Sequence, residues 1–301
     1  MFCTWRETQF STLMMFTSQR PVNMGRMASD IASTYVAMTV RLAESLARSG
    51  KGLRVFTNDK ERLLTLAGAK ANLLTPASLE FDPIFPLHLS FYAAHHKLHI
   101  FERFAEDTWP NCFLDLDIVL SKDGTVVQQI LENPSPMEAW VYDISAQVFP
   151  AFSRPVVQRD LAKLGATKAF PLWYGGEFIL GTPAFFAELS AECNSVLPTY
   201  LRLCDSLHHM GDEPILSVAI NRLGQKFAVG EAGDAELVVR YWTGPTLHVQ
   251  PGPAALKRCA FWHLPDMKSV LSREILSRTP ERLTRAIWMR KLLLSMRPAR
   301  R

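Results

Sequence analysis

The stretch that decides the fold is NCFLDLDIVL, residues 111–120, an apolar run with two aspartates in its middle. Its branched and aromatic side chains are typical of a strand buried at the centre of a sheet. Side chains two residues apart in a strand point to the same face, so Asp115 and Asp117 are expected to lie side by side. Because an ionised carboxylate buried without a partner costs several kcal/mol, the pair needs a reason to be there.

The residues before this stretch alternate between strand and helix patterns. Strands are predicted at 11–17 (STLMMFT), 53–57 (LRVFT) and 71–75 (ANLLT), and helices at 32–50, 60–66 and 89–105. With residues 111–120 as the fourth strand, this order predicts an α/β fold with a doubly wound, mostly parallel sheet. Ligands bind beyond the carboxyl ends of the strands in such sheets, and the two aspartates lie towards that end.

The pattern after residue 120 is less regular. We predict a hairpin arm at 123–131, a glycine turn, strand and helix at 174–193, a helix at 211–224, and strands at 236–242 (ELVVRYW) and 246–250 (TLHVQ). Thr182 and Pro183 suit the N-cap and first position of the helix in 174–193. Gly224 is expected to end the next helix.

Composition is that of a globular domain, with 301 residues, 48% hydrophobic and 21% charged. The five cysteines are scattered without a C-x-x-C pair, which favours reduced thiols in a cytoplasm over disulfides or zinc. Residues 273–301 hold nine Lys/Arg and two Asp/Glu, so the remaining chain has a net charge of −3 against +4 overall. The net negative charge of residues 1–272 therefore does not favour nucleic-acid binding.

A divalent cation would explain the paired aspartates. Mg²⁺ or Mn²⁺ held by one or two carboxylates and completed by substrate phosphates is a common way to bind a diphosphate. The alternative is that Asp115 and Asp117 cap turns or face solvent at a strand end.

The motifs of the chain resemble those of a family. CFLDLDIVL resembles the metal-binding Asp-x-Asp strand of the GT-A-fold glycosyltransferases, and YGGEFILGTPAFFAEL, GDEPILSVAINRLG and FWHLP follow in the family's order. Glycosyltransferase family 8 is the most similar branch, over residues 11–270. The resemblance implies a Rossmann-like GT-A fold, a nucleotide-diphosphate sugar donor such as a UDP-sugar, Mn²⁺ or Mg²⁺, and a glycan or glycolipid acceptor.

The resemblance also implies roles for individual residues. The metal ligands would be Asp115, Asp117 and His263. The donor would be contacted by Thr17, Thr57, Lys97, Asp115, Gly175, Gly176 and Lys268. Acceptor hydroxyls or their proton would be taken by Asp212, Glu213 and Glu177. Each residue has a structural alternative, such as a solvated helix lysine, a plain glycine turn or a carboxylate at a helix start.

Two other histidine patterns are set aside. HHKLH places His95 and His99 four residues apart, but it lacks the glutamate of a zinc helix, so a helix surface is the better interpretation. His208 and His209 are given the same structural interpretation.

Two competing functions stay open. DLDIVL also resembles the first motif of haloacid-dehalogenase-like phosphatases, with Asp115 as nucleophile and Asp117 as acid and base. That motif usually opens its chain, whereas three strand–helix units precede it here. The second alternative is a glycosyltransferase-like protein that binds nucleotide sugars without turnover.

The sequence divides into a GT-A-like domain at 1–272 and a basic tail at 273–301. Pro280 suits a helix start, and apolar residues including Leu283, Ile287 and Trp288 fall on one broad face. Such a helix is typical of an interfacial membrane anchor, and packing against the domain is the alternative. No apolar run approaches the ~18 residues that a membrane span needs. We expect a cytoplasmic protein, with possible peripheral contact to the inner face of a membrane.

Overall fold

The computed structural model describes residues 7–17, 30–80, 85–86, 89–121, 135–274 and 279–295. The hairpin arm predicted at 123–131 lies outside these residues. Ten strands are described, and their bounds are Gln9–Met14 (β1), Leu53–Thr57 (β2), Leu74–Ser78 (β3), Asn111–Leu114 (β4), Ile118–Leu120 (β5), Ala139–Asp143 (β6), Tyr174–Gly181 (β7), Val229–Glu231 (β8), Val238–Arg240 (β9) and Phe261–His263 (β10).

Helices surround these strands. The described helices are Ile31–Ala47 (α1), Lys60–Ala67 (α2), Tyr92–His95 (α3), Lys97–Glu106 (α4), Ser145–Phe152 (α5), Arg154–Lys163 (α6), Pro183–Leu203 (α7), Glu213–Leu223 (α8), Pro253–Arg258 (α9), Lys268–Leu271 (α10) and Pro280–Ser295 (α11). The predicted N-cap of α7 is confirmed, since the Thr182 hydroxyl accepts from the Phe185 N–H at 3.2 Å.

The central sheet has seven strands in the order β3-β2-β1-β4-β7-β6-β8. Its first four strands are parallel to one another, as the alternation of strands and helices predicts. β7 runs antiparallel to both β4 and β6, and β8 is parallel to β6. The prediction of an α/β fold with a mostly parallel sheet is therefore confirmed. All eight residues of β7 are buried, because it lies inside the sheet between β4 and β6.

The prediction of one strand over 111–120 is wrong. β4 belongs to the central sheet, whereas β5 belongs to a second sheet with the order β5-β10-β9. Asp115 and Asp117 lie in the turn between these strands, where the Ile118 N–H donates to the Asp115 carbonyl at 3.1 Å. The chain thus leaves one sheet and enters another at the aspartates, so the charges lie at a strand end instead of inside a buried strand.

Other boundaries differ locally. The helix predicted at 89–105 is interrupted at His96, the third strand begins at Leu74 after a 3₁₀ turn, and no strand forms at 246–250. Gly175 and Gly176 lie inside β7 and not in a turn, and neither has a positive φ. Where a predicted element does form, its ends differ because they depend on contacts that are distant in sequence.

The C-terminal helix α11 packs against the domain. Leu283 and Ile287 are buried in a small apolar cluster with Trp262, Met267 and Leu271. Within the part of the chain that the structure describes, no helix combines the length and apolarity that crossing a membrane would require.

Candidate active site

Two aspartates and a histidine converge at the carboxyl end of β4. β10 pairs with β5 in the antiparallel direction, with His263 opposite Ile118, and this register brings the imidazole beside the turn. One possible ligand atom from each of Asp115, Asp117 and His263 lies within 4.8 Å of the other two. The three residues predicted as metal ligands are therefore brought together.

Asp117 is paired through both of its carboxylate oxygens. Oδ1 lies 3.1 Å from Nε2 of His263, and Oδ2 contacts the Lys268 ammonium group. Burial favours the neutral acid, but the cations of Lys268 and His263 outweigh it and hold the pKa of Asp117 well below its ordinary value. Burial conversely disfavours charged His263, but Asp117 and Glu177 outweigh it and raise the pKa of His263 to about 9.

Asp115 is the more exposed carboxylate of the pair. Its side chain is 32% exposed, with one side open to a cavity and the rest enclosed by protein. Burial, with repulsion from Asp117 and Asp212, outweighs the attraction of Lys97 and raises the pKa of Asp115 to about 6. Its negative charge is therefore only partly compensated by its neighbours.

Lys97 begins α4 and is buried beneath the cavity. Its Nζ donates to Asp115 Oδ1 at 3.2 Å and to the Gly176 carbonyl at 2.8 Å, and it lies 2.9 Å from Asp212 Oδ2. Burial would lower the pKa of Lys97, but the carboxylates outweigh it and raise the pKa. The ammonium group thus joins the Asp-x-Asp turn, β7 and the loop before α8.

The glycines of β7 leave room for these charged side chains. A Cβ at Gly176 would collide with the Asp212 carboxylate and lie 2.9 Å from Lys97 Nζ. A Cβ at Gly175 would collide with the Glu177 carboxylate. Glycine is needed here for space and not for a special backbone conformation.

Glu177 and Arg240 form a buried ion pair behind His263. Arg240 donates from Nε and Nη2 to the two oxygens of Glu177, both at 2.7 Å, and from Nη2 to Glu213 Oε1 at 2.6 Å. Glu177 Oε1 also lies 3.1 Å from His263 Nδ1. Burial would raise the pKa of Glu177, but Arg240 and His263 outweigh it and hold the pKa far below its ordinary value.

Arg240 is a site residue that the sequence analysis missed. ELVVRYW was interpreted only as a strand, although an arginine among apolar strand residues is itself a signal. A buried guanidinium needs carboxylate partners, and these come from β7 and α8, which are distant in sequence.

The charges of this network suit a divalent cation. Among the described residues, its carboxylates are Asp115, Asp117, Glu177, Asp212 and Glu213, and its Lys/Arg cations are Lys97, Arg240 and Lys268. The five carboxylates exceed the three cations by two negative charges when His263 is neutral. Carboxylate oxygens and a neutral imidazole nitrogen are ligands that Mn²⁺ accepts. The three side chains that converge and the excess of two negative charges fit such an ion.

A cavity of about 450 Å³ opens above this network. Lys97, Asp115, Asp117, Asp212, Glu213, Arg240, His263 and Lys268 line it together with Thr17. Thr57 does not line it, being fully buried with its hydroxyl accepting from the Asp59 N–H at 3.2 Å. Gly175, Gly176 and Glu177 lie behind the lining residues.

The comparisons with known proteins bear on the fold. No family model and no curated protein sequence matches the chain. The structure resembles the galactosyltransferase LgtC, solved with donor and acceptor sugar analogs, with a TM-score of 0.56 and 12% identity over 97% of this chain and 98% of that chain. This chain has the GT-A fold. It also resembles the bifunctional glycosyltransferase WbbM, with a TM-score of 0.53 and 14% identity over 95% of this chain and 52% of WbbM.

The GT-A fold confirms the predicted fold class. At these identities the similarity concerns the fold alone, and the roles of individual residues stay predictions. This chain spans about half of WbbM, so the resemblance concerns part of that protein.

Proposed function

We propose that this protein is a metal-dependent glycosyltransferase that moves a sugar from a nucleotide-diphosphate sugar, most simply a UDP-sugar, to a hydroxyl of a glycan or glycolipid. The observation that carries the proposal is the cluster of Asp115, Asp117 and His263 at the cavity of a GT-A fold. The motifs that resemble glycosyltransferase family 8 support the same proposal.

The donor would bind at the charged end of the cavity. Asp115, Asp117 and His263 would hold Mn²⁺ or Mg²⁺, which when bound neutralises charge on the diphosphate that departs. Lys268 lines the cavity beside Asp117, and this position supports the proposal that its ammonium group contacts a phosphate oxygen.

Transfer breaks the bond between the anomeric carbon and the diphosphate oxygen, and the electron pair leaves with the nucleoside diphosphate. A new bond forms from the acceptor oxygen to the anomeric carbon, and the hydroxyl proton is released. Asp212 and Glu213 line the cavity and are the candidates to hold this hydroxyl and receive its proton. Burial would raise the pKa of Glu213, but the charge of Arg240 outweighs it and lowers the pKa. This carboxylate therefore stays ionised and able to accept hydrogen bonds.

Glu177 is better suited to a positioning role than to contact with the acceptor. It is 1% exposed, and both oxygens are taken by Arg240. A carboxylate that accepts from Nδ1 of a ligating histidine fixes the tautomer in which Nε2 can bind metal. We therefore assign Glu177 to the orientation of His263.

The exposed face of the C-terminal helix supports a second part of the proposal, which is contact with a membrane. Trp288, Met289 and Leu293 are 44%, 64% and 59% exposed, and Arg282 and Arg285 are exposed on the same helix. A basic helix with exposed apolar side chains suits an anionic leaflet, where each Lys/Arg contributes ~1 kcal/mol. We propose that this face docks the protein beside a lipid-linked acceptor.

A thermal stabilisation screen tests the function. UDP-, GDP- and ADP-sugars are added to metal-stripped protein without metal, with Mn²⁺ and with Mg²⁺, because a ligand of the native state stabilises it by RT ln(1 + [L]/Kd). We expect one nucleotide class to raise the melting temperature only with Mn²⁺, and Asp117→Asn to abolish this effect. Asp234→Asn, on an exposed loop outside the cavity lining, is the control.

The other outcomes separate the alternatives. No stabilisation by any nucleotide sugar with either Mn²⁺ or Mg²⁺ would refute the proposal. Stabilisation without transfer or hydrolysis would indicate the non-catalytic binding protein, and phosphate release from sugar phosphates would indicate the phosphatase.

A further inference from the structure

Six aromatic rings follow one another along one side of the cavity. The ring centroids are separated by 5.3 Å for Phe91 and His209, 6.5 Å for His209 and His208, 5.2 Å for His208 and Phe152, 5.8 Å for Phe152 and His248, and 5.8 Å for His248 and Trp242. We call these six residues the ring wall. All six are half-buried, and all but His208 line the cavity.

The ring wall is held in place from behind at its centre. Trp173 is fully buried, with its ring centroid 4.8 Å from that of His208. The buried Asp160 carboxylate accepts from the His208 N–H at 2.9 Å and lies 2.9 Å from the ring Nδ1. His208 is therefore fixed by packing on one side and by a carboxylate on the other.

The loop that carries Trp242 is also fixed. The Asp266 carboxylate accepts from the N–H groups of Thr243 at 3.1 Å and Gly244 at 2.8 Å, and Gln250 accepts from the Trp242 N–H at 2.8 Å. A surface that is already ordered loses little conformational entropy when a ligand binds.

Phe91, at the other end of the ring wall, has a left-handed backbone with a φ of 60°. This conformation is uncommon for a bulky residue and costs of order 1–3 kcal/mol. The ring of Phe91 is stacked on His209, with an angle of 29° between the planes. The strained backbone thus accompanies a ring that lines the cavity.

The chemistry of the ring wall differs from that of the metal end. Its ring carbons are apolar, whereas the carboxylates of Asp212 and Glu213 line the same cavity. A ligand with an apolar face and with hydroxyls that can donate to carboxylates would match both features. Glu213 joins the two regions, since it pairs with Arg240 and lies 3.5 Å from His209.

We propose that the ring wall is the acceptor subsite and that it takes a saccharide ring. The C–H face of a pyranose would stack on Trp242 and Phe152, and its hydroxyls would face the carboxylates of Asp212 and Glu213. This inference rests on the proposed function, because it names the acceptor of that same site. A bare hydrocarbon chain would bring no hydroxyls to the Asp212 and Glu213 carboxylates that line the cavity.

Saturation-transfer NMR tests the inference with simple probes. Methyl β-D-galactoside, methyl β-D-glucoside, methyl α-D-mannoside and hexanol are each added to the full chain, with and without UDP and Mn²⁺. We expect at least one glycoside to receive saturation, strongest at the C–H protons of one face. Trp242→Leu and Phe152→Leu should each weaken its binding tenfold or more, because leucine keeps the apolar character but removes the aromatic face.

Phe170→Leu is the matched control, because Phe170 is 75% exposed and lies outside the cavity lining. The inference is overturned if no glycoside binds the wild type, if hexanol alone binds, or if both leucine variants bind glycoside like the wild type. The wild-type arms decide the question even where a variant fails to fold. Glycoside binding at the ring wall without any nucleotide-sugar binding would refute the proposed function and leave the ring wall as a saccharide-binding site only.

Discussion

At the scale of single residues, the site is organised by the two nitrogens of one imidazole. His263 has Nε2 3.1 Å from Asp117 and Nδ1 3.1 Å from Glu177, and Arg240 holds Glu177 in turn. In the metal-free protein this arrangement stabilises the imidazolium, whereas a metal ion would take the place of the Nε2 proton. Metal binding and protonation of His263 are therefore expected to compete.

The first prediction follows from the pKa of His263, which is about 9 against an ordinary value of 6.5. A pKa that rises on folding contributes stability that is complete below pH 6.5 and is lost as the pH rises through 9. Between these pH values we expect the metal-free wild type to lose about 3 kcal/mol more unfolding free energy than His263→Gln, at about 1.4 kcal/mol per pKa unit. Urea unfolding at pH 6.5 and 9 measures this, and an identical pH dependence of both proteins would contradict it.

The second prediction concerns Arg240. A lysine cannot reproduce the two parallel hydrogen bonds of the guanidinium to Glu177, so Arg240→Lys should leave His263 poorly oriented. We expect the Mn²⁺ affinity, measured by calorimetry, to fall by about 10-fold or more. Arg54→Lys is the control, because Arg54 makes a similar fork to Asp107 outside the cavity lining. Equal Mn²⁺ affinity of wild type and Arg240→Lys would remove Arg240 from the metal site.

The sequence predicted which residues come together at the candidate metal site, but it did not predict the ion pairs that hold them. The aspartates and His263 were selected from a motif order that resembles a family, and the structure brings them together. Arg240 was missed because its partners depend on the pairing of β9 with β10, in which Arg240 lies opposite His263. The assignment of Lys97 to the donor stays a prediction, and its contacts with Asp115, Asp212 and the Gly176 carbonyl form only when the chain folds.

At the scale of elements, β7 determines how closely the charged side chains of the site approach the central sheet. It pairs with β4, and its glycines let α4 and the loop before α8 bring Lys97 and Asp212 against the strand. The sequence contains the glycines but does not reveal why a side chain is excluded there. The side chains that occupy the space beside Gly176 come from other elements. Similarly, NCFLDLDIVL is apolar on both sides of the aspartates, and nothing local reveals that the chain changes sheets there.

The third prediction tests the space at Gly176. In Gly176→Ala the new methyl group would meet the Asp212 carboxylate, Lys97 Nζ at 2.9 Å and Leu216 Cδ1 at 3.0 Å. We expect the unfolding free energy to fall by about 1–3 kcal/mol. At Gly52 nothing lies within 4 Å of the new Cβ, so Gly52→Ala should change it by less than about 0.5 kcal/mol. Equal effects of the two substitutions in urea unfolding would show that Gly176 is not needed for space.

At the scale of the whole molecule, α11 is connected to the site. Lys291 donates to the Tyr241 hydroxyl at 2.9 Å, and Arg290 lies 3.6 Å from Asp266, which anchors the loop of Trp242. Leu283 and Ile287 are buried on the face of α11 that packs against the domain. Removing the helix would therefore disturb the domain, so the proposed membrane contact is better tested on its exposed face.

The fourth prediction uses that face. Met289→Glu with Leu293→Glu adds two negative charges where we propose contact with lipid, and both side chains are more than half exposed. We expect this double variant to lose the salt-sensitive co-sedimentation of the wild type with phosphatidylglycerol vesicles while keeping its melting temperature. Leu66→Glu, 38% exposed on α2, should bind like the wild type. If the wild type does not co-sediment with anionic vesicles, the proposed membrane contact is wrong and α11 only packs against the domain.

The most direct test of the central claim is the release of nucleoside diphosphate from a nucleotide sugar as Mn²⁺ is returned to metal-stripped protein. The account predicts no release without metal, release that saturates as Mn²⁺ is added, and a loss of at least about 100-fold in Asp115→Asn and in Asp117→Asn. Asp234→Asn should release the diphosphate like the wild type. Full release by the metal-stripped wild type, or undiminished release by both site variants, would contradict the account.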